Sequence, residues 1–266
     1  MPGVDRVIRS NGEFFLRTAA ASPGGTLVEL DGVRAGVVPA AQERPLMNSV
    51  VCESGARLDD AGYATIAAAY EAAGVQAWTV WVDPSDGETA ELLQARGHVL
   101  DAQPRAMVAA IGDVAERPAI VGSLVRDPGF EVLARLNDDV YGYPGSFART
   151  LTGSVVGCFA ATIEVDGEPA AAGLACDVDD DCHISLIATL QPHRGKGFAT
   201  AIIRHLTADA ADRGRSTTSL VATRAGLRAD GLRGRGVARH VGAHGGAEMK
   251  QRGLTPLFHE RRSTNS

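Results

Sequence analysis

The segment Arg194-Gly195-Lys196-Gly197-Phe198-Ala199 combines two glycines and two basic side chains in an order that suits the binding of a phosphate group. A glycine has no Cβ to hold a phosphate away from the backbone, and it adopts positive φ angles without strain. If a helix starts within the segment, its first N–H groups lack helical partners and carry the positive end of the helix dipole. Such an end binds phosphate oxygens, so the segment predicts a cofactor that carries phosphate.

The flanking sequence predicts a strand before this segment and a helix after it. The run from Ile184 to Leu190 is rich in residues that favour a buried strand, and Gln191, Pro192 and His193 end it. Apolar residues then recur with helical spacing at Phe198, Ile202, Ile203, Leu206 and Ala210. The expected arrangement is a strand, a glycine turn and the start of an amphipathic helix.

Two common phosphate-binding patterns fit the segment poorly. A Walker A loop needs an earlier glycine at a fixed distance and a Ser or Thr after the lysine, but Lys196 is followed by Gly197. A dinucleotide-binding turn needs a glycine or alanine where this chain has Thr200. A different class of phosphate loop is therefore indicated.

The same letter pattern recurs from Arg233 to Ala238, but its surroundings differ. The stretch before it, Ala225 to Leu232, holds glycines, arginines and an aspartate, and the glycines that follow it would break a helix. This second copy is therefore not predicted to bind phosphate. We expect Arg224 to His240 to be a basic loop or an irregular end of the domain, with a solvated surface.

The pattern RxxGxA, from Arg194 to Ala199, resembles the acyl-CoA pyrophosphate loop of the GNAT superfamily of N-acyltransferases. The longer run from Ile187 to Ile203 is similar to the strand-to-helix segment of two-domain GNAT proteins. The resemblance implies an α/β (α+β) fold with a central mixed sheet flanked by helices, and acetyl-CoA or another acyl-CoA as co-substrate. It implies that the cofactor is held by Ile187, Ala188, Thr189, Arg194, Gly195, Lys196, Gly197, Phe198, Ala199 and Thr200.

In such a fold the first three of these residues lie on a strand that parts from its neighbour. Its unpaired N–H and C=O groups then accept the amide-bearing pantetheine arm as an additional strand. Without the adjacent loop, Ile187 to Thr189 would indicate no more than a buried strand.

The chain of 266 residues is long enough for two units, since one GNAT domain would leave about half of it over. Gly97-His98 and Met107 resemble the end of a GNAT domain. We therefore expect two GNAT-like units in tandem, with a degenerate domain at 1–115 that has lost its cofactor loop and the acyl-CoA-binding domain at 128–266. Glu116 to Pro128 is the expected linker, and an unrelated substrate-shaping domain is the alternative for the first half.

Local patterns predict further elements in both halves. In the first half they are strands within Gly25 to Val38 and at Gln76 to Val82, and helices at Asp60 to Ala73 and near Glu88 to Arg96. In the second half they are a helix at Phe130 to Asn137, a flexible connection at Asp138 to Phe147, a hairpin of Gly157 to Val165 and Glu168 to Val178, a solvated acidic loop at Asp177 to Asp181, and a strand at Ser216 to Thr223.

Acyl transfer to an amine needs a neutral amine, a donor for the tetrahedral oxyanion and an acid near the leaving thiolate. The resemblance places Thr189 or its neighbour as the oxyanion donor, and His183 where histone-type members carry a glutamate base. An imidazole has a suitable ordinary pKa of roughly 6.5, although a histidine at a strand start is also typical of a surface or hydrogen-bonded polar residue. Glu164 and the acidic loop are competing candidates for the base.

The acid is a tyrosine in many members, at a position where this chain has Asp230. Tyr143, or Tyr141 beside it, lies in the connection that often borders the acceptor site and is the candidate substitute; loop packing is the alternative role. We expect an N-acyltransferase acting on a small-molecule amine by direct attack in a ternary complex. An acyl-CoA-binding or sensing module with little transferase activity is the alternative.

Composition narrows the possible partners. The net charge of −6 predicts no general attraction to nucleic acid or to an anionic membrane. Charged residues within Met1 to Thr18 do not fit a signal peptide, so a cytoplasmic location is expected. The four cysteines contain no CxxC pair and predict reduced thiols and no metal site. A monomer or a homodimer is expected.

Overall fold

The computed structural model describes residues 2–53, 55–102, 104–143, 145–222, 233–236 and 238–243. The helices in these ranges are α1 (Pro2–Ala21), α2 (Asp60–Ala72), α3 (Gly87–Ala95), α4 (Ile111–Val114), α5 (Phe130–Tyr141), α6 (Ser146–Thr150) and α7 (Phe198–Asp212). The strands are β1 (Thr26–Leu30), β2 (Val33–Val37), β3 (Ser49–Cys52), β4 (Ala77–Val82), β5 (Val99–Ala102), β6 (Arg105–Ala110), β7 (Ser123–Arg126), β8 (Cys158–Val165), β9 (Glu168–Val178), β10 (Asp181–Thr189), β11 (Thr217–Ala222), β12 (Arg233–Gly236) and β13 (Ala238–Ala243).

These strands form two mixed sheets, and each sheet contains a strand from the other half of the chain. The first sheet has the order β1-β2-β3-β4-β13-β5, and the second has the order β12-β6-β11-β10-β9-β8-β7. β13, from the second half, is antiparallel to both β4 and β5. β6, from the first half, is antiparallel to β11 and β12. The two sheets are therefore joined by strand exchange.

Helices cover both faces of the two sheets, and one core lies between the sheets. α1 contacts strands of both sheets, and its Phe14 and Phe15 belong to the same buried cluster as Trp81 of β4 and Leu174 of β9. α5 and α6 contribute to this shared core as well. α7 packs on the opposite face of the second sheet, whereas α2 covers the outer face of the first. Burial of apolar surface in these clusters holds the layers together.

The structure confirms most of the elements expected from local patterns. The predicted hairpin at 157–178 corresponds to β8 and β9, and the Asp31-Gly32 turn joins β1 to β2. The expected helices correspond to α2, α3 and α5, and the strands at 76–82 and 216–223 correspond to β4 and β11. The predicted strand, glycine turn and helix at 184–210 are present as β10, the loop and α7. β10, the glycine loop and α7 together position the candidate site.

Four local expectations were wrong. The expected linker at 116–128 contains β7, which extends the second sheet. The expected flexible connection at 138–147 is short, because α5 continues to Tyr141 and α6 begins at Ser146. Asp181 lies in β10 and is buried rather than solvated. Within Arg224 to His240, residues 233–236 and 238–240 are in strands, while Asp230 lies outside the described residues.

The segment 116–126 is fastened to α7 by polar contacts. Arg117 and Arg126 both pair with Asp209 of α7, at 2.8 and 2.7 Å. His205 Nε2 lies 3.0 Å from the carbonyl oxygen of Pro118, and Arg204 pairs with Glu116. These contacts dock the segment on the helix that begins at the glycine loop.

Candidate functional site

The glycine loop leads into a helix start that has no capping side chain. Gly195 and Gly197 have φ angles of 75° and 83°, so both adopt the left-handed conformation that glycine permits. Gly197 is the N-cap of α7, and no side chain caps the helix there. The first helical hydrogen bond joins Ala201 N–H to Gly197 O at 2.9 Å. The N–H groups of the three residues at 198–200 therefore precede the helical ladder and are available to an anion.

The loop leaves room in front of these N–H groups. A Cβ placed at Gly195 or Gly197 would meet no atom within 4 Å, so the backbone faces open space. Arg194 and Lys196 are exposed, and Phe198 is buried and anchors the helix to the sheet. Arg194 Nε donates to the carbonyl oxygen of Thr189 at 3.1 Å, which ties the loop to the end of β10. The geometry suits a diphosphate at the N-terminus of α7.

β10 and β11 part on the way to this loop. Their parallel pairing ends where Ile184 lies beside Leu220, although β10 continues to Thr189. β10 remains with β9, since Leu190 N–H donates to Ala170 O at 3.0 Å. Backbone groups of successive residues alternate in direction along an antiparallel strand. Those of Thr189 therefore face the gap between β10 and β11, where a ligand can add itself as a strand.

A β-bulge interrupts β10 at the head of the gap. The register with β9 shifts between Ser185 and Ala188, and Leu186 has a positive φ of 51°. Gly173 of β9 lies opposite the bulge. A Cβ at Gly173 would collide with the side chain of Ile187 and would lie 2.6 Å from Ile202 Cγ2, so the close packing over the bulge requires glycine.

Two side chains of α5 hold the carbonyl groups of the bulge. Asn137 Nδ2 donates to Leu186 O at 3.1 Å and to Leu133 O at 3.0 Å. The Tyr141 hydroxyl donates to Ile187 O at 2.9 Å. Sequence reasoning missed Asn137. The available signal was a polar side chain one helical turn from Leu133 and one turn from Tyr141, on a face that is otherwise apolar.

His183 lies away from the gap and is buried. It is 1% exposed, and its Nδ1 is 3.1 Å from Ser219 Oγ of β11. Burial lowers the pKa of the imidazole from its ordinary value to about 3. Ser219 in turn donates to Asp181 at 2.5 Å. This environment argues against the predicted role of His183 as a general base, because its buried ring is not exposed to an incoming amine.

Asp181 is the acidic end of the same buried network. It accepts hydrogen bonds from Ser10 of α1 and from Thr217 of β11, each at 2.8 Å, in addition to that of Ser219. Burial raises the pKa of the carboxyl group, while these hydrogen bonds oppose the shift. The network joins α1 to the end of β10 that is remote from the glycine loop.

Tyr143 lies where the two halves of the chain meet. The guanidinium carbon of Arg44 is 3.1 Å from the centre of the Tyr143 ring and 4.9 Å from that of Phe147. Arg44 is 4% exposed, and desolvation lowers its pKa, while Tyr143 and Asp138 oppose the shift. The connection after α5 is therefore packed against the segment that follows Pro39–Ala41. Tyr143 lies in this packed region. His183 lies elsewhere, in the paired part of β10 and β11.

The residues present suit an acyl-CoA co-substrate. The loop and the start of α7 offer an open anion site, and the parted strands leave Thr189 N–H facing the gap. Thr189 Oγ1 adds a buried hydroxyl oxygen without a hydrogen-bond partner among the described residues, at the edge of the gap. The described residues contain no group of His, Cys, Asp and Glu side chains that could hold a metal ion. None of the helices described is long and apolar enough to cross a membrane.

Comparison with known proteins agrees with this geometry. Residues 126–232 match the family model described as the acetyltransferase (GNAT) family. A GCN5-related N-acetyltransferase from Kribbella flavida is 18% identical, with a TM-score of 0.66 over 92% of this chain and 98% of its own. A GCN5-related N-acetyltransferase from Sphaerobacter thermophilus is 17% identical, with a TM-score of 0.54 over 80% of this chain and 76% of its own.

A tandem GNAT protein from the clavulanic acid biosynthesis pathway is 16% identical, with a TM-score of 0.50 over 89% of this chain and 95% of its own. No curated protein matches the sequence. The similar structures show the fold, which is the mixed α/β fold of GNAT proteins with two sheet-based units. Residues 126–232 thus match the GNAT acetyltransferase family model, within a chain whose fold is that of GNAT proteins.

Proposed function

We propose that this chain is an N-acetyltransferase that transfers an acetyl group from acetyl-CoA to a small-molecule amine. The observation that carries the proposal is the combination of an uncapped helix start behind two open glycines with a strand that parts from its neighbour beside it. The loop from Arg194 to Thr200 takes the diphosphate, and Ile187 to Thr189 pair with the pantetheine arm. Both ends of the co-substrate thus meet groups that suit them.

The reaction needs few protein groups once both substrates lie in the gap. Holding the amine against the thioester supplies much of the rate by proximity. The nitrogen attacks the carbonyl carbon, the oxyanion forms, and the C–S bond then breaks to release coenzyme A as a thiol after it gains a proton. Thr189 N–H, whose direction into the gap follows from the pairing of Leu190, is the proposed oxyanion donor.

Tyr143 is the proposed acid for the departing thiolate. It is half-buried beside the C-terminal end of α5, whose Tyr141 touches Ile187 of the gap. The burial of His183 leaves the proposal without an assigned base, so the amine is expected to enter as the neutral species or to lose its proton to water. The pH dependence of kcat/KM should then follow the pKa of the acceptor amine.

The proposal predicts that Gly197→Trp abolishes acetyl-CoA binding. The indole would occupy the open space in front of the first N–H groups of α7. Gly214→Trp is the matched control, because Gly214 lies just beyond the other end of α7, has a φ of 80° and also has open space around it. Backbone strain is therefore similar in the two variants, and only one blocks the helix start.

Titration calorimetry with acetyl-CoA tests this pair. We expect no measurable heat with Gly197→Trp and nearly unchanged affinity with Gly214→Trp, with both variants folded by circular dichroism. Equal affinity in the two variants would show that the helix start of α7 does not bind the co-substrate.

The second candidate is an acyl-CoA-binding or sensing module. The burial of His183 favours it, because this leaves no histidine exposed at the gap among the described residues of β10. Release of free coenzyme A, measured with a thiol reagent across a panel of small amines, separates the two. Thiol release that depends on an amine supports the transferase, whereas tight binding without release supports the sensing module.

A further inference from the structure

We propose that Asn137 and Tyr141 are positioning residues that hold the β10 bulge in the shape needed for acyl transfer. The inference rests on the proposed function and deepens it, since it assigns the groups that fix the backbone of the site. Three observations carry it: the β10 bulge is strained, two side chains of α5 donate hydrogen bonds to its carbonyl groups, and Thr189 N–H faces the gap.

The bulge needs support from outside its own strand. A non-glycine residue at positive φ is strained, and Leu186 has a φ of 51°. The shift in register between Ser185 and Ala188 also removes carbonyl groups from the ladder with β9. A buried carbonyl without a donor is costly, so this conformation persists only where other groups bond to it.

α5 supplies two such bonds from adjacent turns of one helix face. Asn137, 0% exposed, donates to Leu186 O, and Tyr141, four residues later, donates to Ile187 O. Asn137 also donates to Leu133 O of its own helix, which fixes the orientation of the amide. Burial raises the pKa of the Tyr141 hydroxyl, so it remains a protonated donor at neutral pH. Both side chains therefore act as fixed donors.

The remaining carbonyl at the edge of the gap is also occupied. Arg194 Nε donates to Thr189 O. Side chains thus take the carbonyl oxygens of Leu186, Ile187 and Thr189, and Thr189 N–H, which faces the gap, remains for a ligand. A site that presents donors rather than acceptors suits a developing oxyanion, and its orientation depends on α5.

The test compares Tyr141→Phe and Asn137→Asp with Tyr70→Phe. Tyr141→Phe removes the only donor of its side chain, and Asn137→Asp replaces two N–H donors by a carboxyl group with at most one, with little change in size. Tyr70 is the matched control, because its buried hydroxyl also donates to a backbone carbonyl, Gly36 O, at 3.1 Å, but in the first sheet. Loss of a comparable hydrogen bond is therefore common to Tyr141→Phe and Tyr70→Phe.

The first measurement is amide hydrogen exchange of the free protein, which requires no substrate. We expect Tyr141→Phe and Asn137→Asp to exchange faster at residues 185–190 by about tenfold, with β8 unchanged, and Tyr70→Phe to leave residues 185–190 unchanged. Equal exchange at residues 185–190 in all three variants and the unaltered protein would overturn the assignment.

The second measurement separates positioning from general stability. With an acceptor amine identified, we expect kcat to fall about tenfold in Tyr141→Phe, while KM for acetyl-CoA changes less than about twofold, because the diphosphate loop is intact. Tyr70→Phe should leave both constants unchanged. Equal effects of Tyr141→Phe and Tyr70→Phe on kcat would overturn the positioning role, whereas failure of the unaltered protein to bind acetyl-CoA would overturn the proposed function and leave the exchange result standing.

Discussion

A single buried imidazole shows how much the surroundings of a residue decide its chemistry. The sequence places His183 on the strand that lines the gap, four residues before Ile187, where the family resemblance implies a base. In the structure its ring is buried and contacts Ser219, which belongs with Asp181 to the network that reaches Ser10 of α1. The sequence shows that a histidine stands at this position. The burial of its ring depends on α1, a helix that the sequence analysis did not predict.

His183 should make the protein less stable in mild acid. Its native pKa is about 3, below the ordinary value of 6.5, so the unfolded chain binds a proton at this residue that the native protein excludes. The stabilising contribution is present above pH 6.5 and is lost as the pH falls toward 3, by up to about 1.4 kcal/mol for each pH unit. His183→Gln removes this titration while keeping a polar side chain beside Ser219.

Urea unfolding at several pH values from about 4 to about 7 measures the effect, because this interval lies between the native and the ordinary pKa of His183 for most of its length. We expect the free energy of unfolding to fall less steeply with decreasing pH in His183→Gln than in the unaltered protein. Parallel pH dependence of the two proteins would contradict the burial of a neutral histidine.

At the scale of elements, the glycine loop and the bulge differ in how far local sequence reveals them. The loop at 194–200 could be predicted, because a strand pattern, two glycines and a helical pattern follow one another within one short segment. The bulge could not, because it depends on Gly173 of the next strand and on Asn137 of a distant helix. Contacts between remote segments leave no local period in the sequence.

The second copy of the loop pattern shows the same limit. Arg233 to Gly236 forms strand β12 rather than a helix start, so the prediction that it does not open a cofactor helix is confirmed. The expectation of an irregular loop there was wrong, because pairing with β6 imposes an extended backbone on residues with little intrinsic preference for a strand. Tertiary pairing decides the conformation of such a segment.

Gly173→Ala should destabilise the second sheet. The added Cβ would collide with the side chain of Ile187 and lie 2.6 Å from Ile202 Cγ2. Overpacking of this kind costs about 1–3 kcal/mol. Gly87→Ala is the control, since a Cβ at Gly87, at the start of α3, meets nothing within 4 Å and should be neutral or stabilising by a few tenths to about 1 kcal/mol.

Thermal unfolding of the two alanine variants makes the comparison. We expect a lower midpoint for Gly173→Ala alone, together with faster amide exchange at residues 185–190 next to it. A midpoint as high as that of Gly87→Ala would mean that the bulge accommodates the methyl group and that its packing is looser than the structure shows.

At the scale of the whole molecule, the two halves exchange strands, which a tandem arrangement of two units does not require. The first sheet is complete only with β13, and the second sheet contains β6. α1 adds a core shared by both sheets. Two GNAT-like units could be expected from length and motif, but their exchange could not, because β4 and β13 are distant in sequence.

Two fragments, 1–115 and 116–266, should therefore fold poorly alone and associate when mixed. Tryptophan emission reports the association, since both tryptophans of the chain, Trp78 and Trp81, lie in β4 beside β13 and are buried. We expect a blue shift of the emission of fragment 1–115 when fragment 116–266, which has no tryptophan, is added. Emission that is already native-like in fragment 1–115 alone would show that β13 is dispensable for the first sheet.

The position of β13 also has a consequence for synthesis on the ribosome. β5 reaches β4 only through β13, which occupies residues 238–243 of a chain of 266. β1 to β5 must therefore wait for residues 238–243, which are translated much later, before their sheet can close. During that interval the edge of β4 lacks its partner strand and is exposed to pairing with other chains.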